Sequence, residues 1–179
     1  MTPPDPVKPI DPAIVEFLRA HHVLTLCTAE NGVPYAANCY YVFLEPGTAG
    51  AADELRTITT PCFVFLSDRT TRHGRELTIN PLVAGTVHVE PPPDESGVGQ
   101  IRGVQFTGRA RLLAPESNAV NSASPIDTIA RDAYFTAFPY ARGRPTDCWL
   151  LAVDFIKMTD NTVRFGFKRT WPATGNVAP

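Results

Sequence analysis

The chain has 179 residues, of which 44% are hydrophobic and 19% are charged, so its length and composition suit one globular domain. The formal net charge of -2 argues against nucleic-acid binding through overall positive charge. No run approaches the roughly 20 apolar residues that cross a bilayer, and residues 1–6 lack the basic and apolar regions of a secretory signal. We therefore expect a cytoplasmic protein that binds neither nucleic acid nor a membrane.

The cysteines and histidines do not indicate a metal site. The four cysteines lie in apolar, strand-like segments without CxxC spacing, which favours buried free thiols in a reducing compartment over disulfides or metal ligands. Two of the four histidines are adjacent and the other two are isolated, so no pair has the spacing of zinc ligands on one helix face.

The N-terminal part of the chain predicts a tail, a helix and a β-hairpin. Residues 1–10 are rich in proline and are expected to form a flexible tail. Asp11–Pro12 has the residues of a helix N-terminus, and the apolar residues that follow recur at helical spacing to about His21. Two β-rich runs, 23–28 and 34–44, flank turn residues and predict a hairpin.

The next part predicts a loop followed by strand, helix and strand. Residues 45–53 are rich in glycine and alanine and are expected to be a surface loop. Residues 62–66 are apolar throughout, as in a strand covered on both faces. A helix is predicted from Arg72 to about Ile79, where Asn80–Pro81 ends it, and residues 82–89 form the next strand.

Beyond residue 90 the chain predicts one more helix and three strands. A strand at 101–113 contains Gly103 and Gly108, where a bulge or bend is expected. The other elements are a loop at 91–99, a helix at 126–138, strands at 149–158 and 162–167 joined by a turn at 160–161, and a flexible tail at 172–179. Strands in hairpin-like succession, without regular strand–helix alternation, predict a mainly β fold: an antiparallel barrel with short helices, formed by a single domain of residues 11–171.

The segment from Ser67 to His73, SDRTTRH, predicts an anion site. It joins an apolar strand to a helix N-terminus, where free backbone N–H groups and the helix dipole favour negative charge. Thr71 would cap the helix, and Arg72 would offer a planar donor fork suited to phosphate. The segment alone is equally compatible with an ordinary cap and a solvated arginine.

A second arginine is predicted to face the barrel interior. In the strand from Ile101 to Leu112, period-two alternation places Arg102 on the same face as Val104 and Phe106. An inward arginine needs a partner, which is either a ligand phosphate or a carboxylate such as Asp68 or Asp154. A purely structural ion pair fits the pattern equally well.

Weaker signals come from aromatic and amide side chains. Four residues on the second strand either line a planar ligand or serve as core and edge residues: Tyr35, Asn38, Tyr40 and Tyr41. Trp171, which follows two cations, is a candidate for covering a ring or docking a partner subunit. The chain has no GxGxxG, P-loop, GxSxG or HExxH motif, and no nucleophile or acid–base constellation stands out.

Several motifs in one order resemble a known family. The stretch from Ser67 to Gly74, continued by Leu77 and by Asn80–Pro81, resembles the strand–loop–helix of pyridoxamine 5'-phosphate oxidase-like proteins. Three further stretches look like the YhbP-like subfamily of bacterial proteins, namely Ile101–Phe106, Phe138–Arg142 and Thr159–Thr162.

The resemblance implies a six-stranded antiparallel Greek-key split barrel of the FMN-binding type, and a homodimer that holds FMN between its subunits. The residues that would contact FMN by this resemblance are Ser67 and Asp68 near the ring or ribityl chain, Thr71, Arg72 and His73 at the phosphate, and Arg102 or Gly103 nearby. His73 replaces the usual phosphate lysine of the family, and Gly103 replaces a glutamine that often contacts the flavin. The residues that would bind a pyridoxamine phosphate substrate are not found.

Three functions are compatible with these features. The first is an FMN-dependent oxidoreductase, in which the strand around Asn38 and Tyr40 shields the flavin ring. The second is a non-catalytic module that binds FMN, haem or another planar anionic ligand. The third is a dimeric scaffold with a degenerate flavin site. A deazaflavin cofactor would fit the same features as FMN.

Overall fold

Apolar and polar residues alternate along most of the strands, so the apolar face of the curved sheet forms the interior of a barrel. The computed structural model describes residues 9–50, 53–97, 99–114 and 124–172. The strands are β1 (Val23–Glu30), β2 (Val33–Leu44), β3 (Ala49–Gly50), β4 (Asp53–Thr57), β5 (Cys62–Leu66), β6 (Leu82–Val89), β7 (Arg102–Leu112), β8 (Cys148–Asp160) and β9 (Lys168–Trp171). The helices are α1 (Pro12–Ala20), α2 (Arg72–Ile79) and α3 (Pro125–Ala137), with short 3-10 turns at Glu95–Gly97 and Pro139–Ala141.

Six of the strands close into an antiparallel barrel. The order is β5-β2-β1-β6-β7-β8, and β5 pairs with β8 to complete the circle. The long strand β8 pairs with β5 through Cys148–Ala152 and with β9 through Ile156–Thr159. The predicted mainly β, six-stranded antiparallel barrel is therefore confirmed.

Aromatic and aliphatic side chains fill the barrel. The ring of Phe63, which is fully buried, lies 5.0 Å from that of Tyr41 and 4.5 Å from that of Phe106, measured between ring centres. The Tyr41 hydroxyl donates to the Leu18 carbonyl at 2.9 Å and so attaches α1 to the barrel. Burial of these large rings is the main source of stability here.

A second apolar cluster lies outside the barrel, beneath α3. It contains Val64 and Leu150 from the strands, together with Ile129, Ala130 and Tyr134 from the helix. Strand β5 is thus buried on both faces, because Phe63 and Phe65 point inwards while Cys62 and Val64 point towards α3. This arrangement explains why residues 62–66 are all apolar.

One of the two glycines in β7 marks an irregularity. The β7–β8 register shifts between Thr107 and Gly108, so that Asp154 has no direct partner. A Cβ atom at Gly108 would lie 2.3 Å from the Ala152 carbonyl oxygen, so the close approach requires glycine. Gly103 lies in regular register opposite His88 and Thr159.

Two predicted elements differ from the structure. The strand predicted at 162–167 is wrong, because the Asp160 carboxylate accepts from the Thr162 amide at 3.1 Å and holds this segment in a turn, and β9 follows only at Lys168. Val163 and Phe165 are 57% and 86% exposed, so their alternation does not reflect a buried strand face. The loop predicted at 45–53 contains β3 and the first residue of β4.

The two short helices α1 and α2 lie at opposite ends of the barrel. Phe17 of α1 lies under Arg102, where β7 begins and β8 ends. Helix α2 contacts β1, β2 and β7 at the other end, just before β6 begins. None of the helices in the described part of the chain is long and apolar enough to cross a membrane. Of the two predicted tails, Ile10 is buried in the barrel core, and Pro9 and Pro172 are also described, whereas residues 1–8 and 173–179 lie outside the described residues.

Candidate functional site

The loop between β5 and α2 is held in place by its own side chains. The Thr71 hydroxyl accepts from the Gly74 amide at 3.1 Å and donates to the Asp68 carbonyl at 2.7 Å, so Thr71 is the predicted N-cap of α2. The Asp68 carboxylate accepts from the Thr70 amide at 2.7 Å, and this bond lowers the pKa of Asp68. The first turn of α2 therefore starts at a fixed position relative to the end of β5.

His73 faces the same loop. Its Nε2 lies 2.6 Å from the hydroxyl of Ser67, which is buried, and 3.4 Å from the Thr71 hydroxyl. Burial lowers the pKa of His73, with Glu76 acting in the opposite direction. The neutral imidazole is thus favoured at this point.

The Arg72 guanidinium contacts a carboxylate on one side and an aromatic ring on another. Its Nε donates to Glu76 Oε1 at 2.8 Å, and its guanidinium carbon lies 4.4 Å from the centre of the Tyr35 ring. The two terminal nitrogens of Arg72 make no hydrogen bond to any residue that the structure describes, and the side chain is 45% exposed. The free donor pair is therefore available to an anion.

A buried carboxylate supports this arginine. Glu76 is only 2% exposed, and its Oε2 accepts a hydrogen bond from the hydroxyl of Thr28 on β1. The pKa of Glu76 is lowered, first by the Thr28 hydrogen bond and then by that of Arg72. Glu76 is consequently ionised at neutral pH, as a partner of an arginine must be.

Two open cavities adjoin the loop. One of about 530 Å³ is lined by Asn38, Tyr40 and Leu66 from the barrel and by Tyr134 and Tyr140 from the α3 region. The other, of about 710 Å³, is lined by charged side chains that include Arg69, Arg75 and Asp147, and also by apolar ones such as Ile79. Both volumes lie in the range of small-molecule sites, and the first has the aromatic lining that suits a planar ring.

The two predicted site residues on β2 lie at the aromatic cavity. Asn38 accepts from the Thr25 hydroxyl at 2.9 Å, which fixes its amide. Tyr40 is 56% exposed, and its ring centre lies 5.7 Å from that of Phe138. An exposed aromatic ring beside a fixed amide can contact a planar ligand through its face and its polar edge.

The structure does not bring Arg102, Gly103 or Trp171 to this place. Arg102 Nε lies 3.3 Å from Asp160 Oδ1, so its carboxylate partner is neither Asp68 nor Asp154, the two suggested by the sequence. The strand registers place Thr28 level with Val83 and Arg102 opposite Val89. Six residues of strand separate the two levels, or about 20 Å.

Trp171 likewise lies in the barrel core and not on the surface, where it was predicted to cover a ring or dock a partner subunit. It is 9% exposed and belongs to the cluster that fills the barrel, opposite Ile156. Ser67, Thr71, Arg72 and His73 are brought together as the sequence predicts. In the described part of the chain, no three metal-ligating side chains lie close enough to hold an ion.

Thr28 and Glu76 were not identified as site residues from the sequence, and Tyr35 was considered only as a ring contact. The spacing of Arg72 and Glu76, four residues apart on a helix, is a visible signal for a side-chain pair. The turn at Asn31–Gly32 sets the hairpin register that places Thr28 opposite Tyr35. The packing of α2 on the end of the barrel brings the Arg72–Glu76 pair into contact with the Thr28–Tyr35 pair, and this packing is not visible in the local sequence.

The closed antiparallel barrel defines a protein of the split-barrel class. The family model described as pyridoxamine 5'-phosphate oxidase matches residues 10–154. A UPF0306 protein of Photorhabdus laumondii is 37% identical over 158 residues, covering 88% of this chain and 92% of that protein. The UPF0306 protein YhbP of Salmonella arizonae is 36% identical over 159 residues, covering 89% and 90%. The chain belongs to the pyridoxamine 5'-phosphate oxidase-like family, in the group of the YhbP-like UPF0306 proteins.

Solved structures share the fold at low sequence identity. A haem-binding protein from Mycobacterium smegmatis aligns with a TM-score of 0.59 and 18% identity, covering 92% of this chain and 59% of that chain. A FAD-binding protein from Mesorhizobium loti has a TM-score of 0.54 and 16% identity, covering 79% and 88%. A pyridoxamine 5'-phosphate oxidase homologue from Listeria innocua has a TM-score of 0.54 and 15% identity, covering 82% and 95%.

Proposed function

We propose that this protein binds FMN at the β5–α2 junction and acts as a flavin-dependent oxidoreductase in the cytoplasm. The observation that carries the proposal is the state of Arg72, whose guanidinium is oriented by Glu76 and Tyr35 while both terminal nitrogens stay free. An oriented arginine fork at a helix N-terminus is suited to a phosphate monoester, which accepts two parallel hydrogen bonds.

The residues around Arg72 fit the phosphate end of FMN. The backbone amides of Arg72 and His73, at the first two positions of α2, donate to no residue that the structure describes. They can therefore donate to phosphate oxygens, as the first amides of a helix do. Ser67, Thr71 and His73 form the adjoining wall through their mutual hydrogen bonds.

The flavin ring has a matching groove nearby. The aromatic cavity of about 530 Å³ includes Leu66, the residue before Ser67, so it begins next to the loop that carries the phosphate residues. Bound flavin would supply hydride transfer, while the chain itself binds and orients the ring and restricts access of water. A site of this kind needs no acid–base constellation in the chain, in agreement with the absence of such motifs.

The proposal includes a homodimer and a reducing compartment. On the outer face of the sheet, Cys27 lies between Ala36 and Ala84 in register, which leaves a row of small side chains. Leu82 and Ile79 are 53% and 65% exposed near one end of this row. A flat, small-residue face bordered by apolar side chains suits a second copy of the chain. All four cysteines are free thiols, as expected in the cytoplasm.

A second candidate is ligand binding without catalysis. It is favoured by the names of structural neighbours, which include a haem-binding and a FAD-binding protein. A scaffold with a degenerate site is the third, because His73 is favoured as a neutral ring where the family uses a lysine.

Titration with FMN, followed by absorbance and by quenching of flavin fluorescence, tests the binding step. We expect binding by the wild type and at least about tenfold weaker binding by Arg72→Ala, the loss of a charge-assisted hydrogen-bond pair. Arg109→Ala is the matched control, since Arg109 is exposed on β7 and its loss changes the net charge equally. Equal affinities in the two variants would contradict the assignment of the phosphate site.

Reduction separates the candidate functions once binding is seen. Bleaching of bound flavin by reduced nicotinamide, with recovery on addition of an electron acceptor, is expected of an oxidoreductase. A flavin that stays oxidised in the presence of several donors indicates a binding module. A protein that retains no flavin after desalting indicates the degenerate scaffold.

A further inference from the structure

We infer that Thr28 and Glu76 are positioning residues that aim Arg72, and that through this they make the site select a flavin carrying a 5'-phosphate over the same ring and ribityl chain without it. This inference rests on the proposed FMN site. It concerns two residues that do not themselves touch the ligand, and it explains why a carboxylate is buried beside a phosphate-binding arginine.

The first observation is that both oxygens of the Glu76 carboxylate accept a hydrogen bond from the protein. Oε1 accepts from Arg72 Nε at 2.8 Å, and Oε2 accepts from the Thr28 hydroxyl. Glu76 is 2% exposed and Thr28 is also 2% exposed, so water does not compete for these bonds. A buried carboxylate is stable only when its oxygens are paired in this way.

The second observation is where Thr28 sits. It belongs to β1, a strand paired on both sides with β2 and β6, and it lies opposite Tyr35 near the end of the barrel on which α2 packs. Its hydroxyl therefore fixes the Glu76 carboxylate relative to a rigid sheet, not merely relative to its own helix. The same strand pair supplies the Tyr35 ring that covers the guanidinium of Arg72 at 4.4 Å.

Together these contacts define the plane of the guanidinium. The hydrogen bond at Nε sets its edge and the Tyr35 ring sets its face, so the two terminal nitrogens project away from Glu76 as a fork. A fork of this kind recognises two oxygens of one phosphate at once, which requires orientation as well as charge. A lysine or an unanchored arginine would offer charge without this geometry.

Considered by its charge alone, Glu76 would weaken FMN binding, which is the opposite of the positioning effect inferred here. A carboxylate adjacent to the anion site repels a phosphate, and it offsets the positive charge of Arg72. If neutralising Arg72 were its main effect, removing Glu76 would strengthen FMN binding. If positioning dominates, removing Glu76 weakens FMN binding, and a neutral side chain that keeps both contacts preserves it.

The experiment compares FMN with riboflavin, which has the same ring and ribityl chain but no phosphate. Dissociation constants for both are measured by fluorescence quenching on wild type, Thr28→Val and Thr28→Ser, and on Glu76→Ala and Glu76→Gln. Glutamine can accept from Arg72 with its oxygen and donate to Thr28 with its amide, so Glu76→Gln keeps the geometry and removes the charge.

We expect Thr28→Val and Glu76→Ala to bind FMN about tenfold more weakly, while riboflavin affinity changes by less than about twofold. Thr28→Ser and Glu76→Gln should retain the wild-type preference for FMN. A purely structural role would lower the melting temperature and affect both ligands alike, so it would leave the FMN-to-riboflavin ratio unchanged.

The remaining outcomes distinguish failure of the proposed FMN site from failure of the positioning inference. A wild type that binds FMN no better than riboflavin contradicts the proposed phosphate site itself. A wild type that prefers FMN, with the same ratio in Thr28→Val and Glu76→Ala, leaves the proposed function intact and overturns the positioning inference. Should Thr28→Val not fold, the comparison of Glu76→Ala with Glu76→Gln decides the question in the same way.

Discussion

Arg72 and Arg102 lie at opposite ends of the barrel in similar surroundings. Each is paired with a carboxylate whose side chain is at most 6% exposed, and each guanidinium lies over an aromatic ring, Tyr35 at 4.4 Å and Phe17 at 5.6 Å. The arginine side chains are about equally exposed, at 45% and 40%. Judged by burial and charge alone, the two ends would be equivalent.

The backbone around each arginine makes them different. Arg72 begins a helix, so the backbone amides of Arg72 and His73 have no partner in the described part of the chain, and the two terminal nitrogens of Arg72 are free as well. Arg102 lies in a strand whose backbone is paired on both sides, and its partner Asp160 also holds the turn after β8. Free backbone donors therefore lie beside Arg72, whereas the backbone at Arg102 is used in strand pairing.

The largest expected effect is at the Arg102 end. Replacing Asp160 with alanine removes the acceptor of the Thr162 amide and leaves Arg102 without its carboxylate, and we expect the free energy of unfolding to fall by about 3 kcal/mol. Asp154→Ala is the matched control, because Asp154 is exposed at the bulge of the same strand. Urea denaturation measures both variants, and equal losses would contradict a structural role for the Asp160 pair.

A smaller effect distinguishes the two arginines directly. We expect Arg102→Ala to lower the free energy of unfolding by about 1 kcal/mol, since the pair is partly exposed, and to leave FMN affinity within about twofold of wild type. Arg72→Ala should weaken FMN binding, and it should also lower the free energy of unfolding, because it leaves one oxygen of the buried Glu76 carboxylate without its partner. If Arg102→Ala weakened FMN binding as much as Arg72→Ala, the flavin site would have to include Arg102, for example from the second subunit of a dimer.

Local sequence signals predicted most of the geometry around Arg72 because its framework is local. The cap at Thr71, the helix stop at Asn80–Pro81 and the fork of Arg72 all lie within one strand–loop–helix unit. The inward direction of Arg102 also followed from period-two alternation. The partners of both arginines were harder to find. Glu76 is four residues from Arg72, but Asp160 reaches Arg102 only through the register of β7 with β8.

The one wrong strand has a specific cause. Val163, Phe165 and Phe167 alternate with polar residues, which favours a strand at 162–167. The side chains of Asp160 and Asn161 instead accept from the Thr162 and Gly166 amides, and these bonds replace a ladder with a turn. Side-chain capping of this kind competes with strand pairing and is not visible in hydrophobic periodicity.

The smallest expected effect is a pH dependence of stability that differs between the two ends. Burial lowers the pKa of His73 near Arg72 and of His21 near Arg102, and at His21 the charge of Arg102 adds to the shift. A histidine whose folded pKa lies below its ordinary value of 6.5 binds more protons when unfolded, so stability falls as the pH drops below that value. The lowered pKa of Glu76 adds a further loss as the pH falls past the ordinary value of 4.5.

Melting temperatures measured between pH 8 and pH 4 test whether stability falls on acidification. The same measurement on the two arginine variants tests whether the two ends of the barrel differ in this respect. Arg102→Ala removes one cause of the His21 shift, so the decline between pH 7 and pH 5 should be shallower than in wild type. Arg72→Ala should leave that part of the curve unchanged, because the charge of Arg72 does not contribute to the His73 shift. A melting temperature that rises on acidification would contradict the direction at both ends, and equal slopes in the two variants would remove this difference between them.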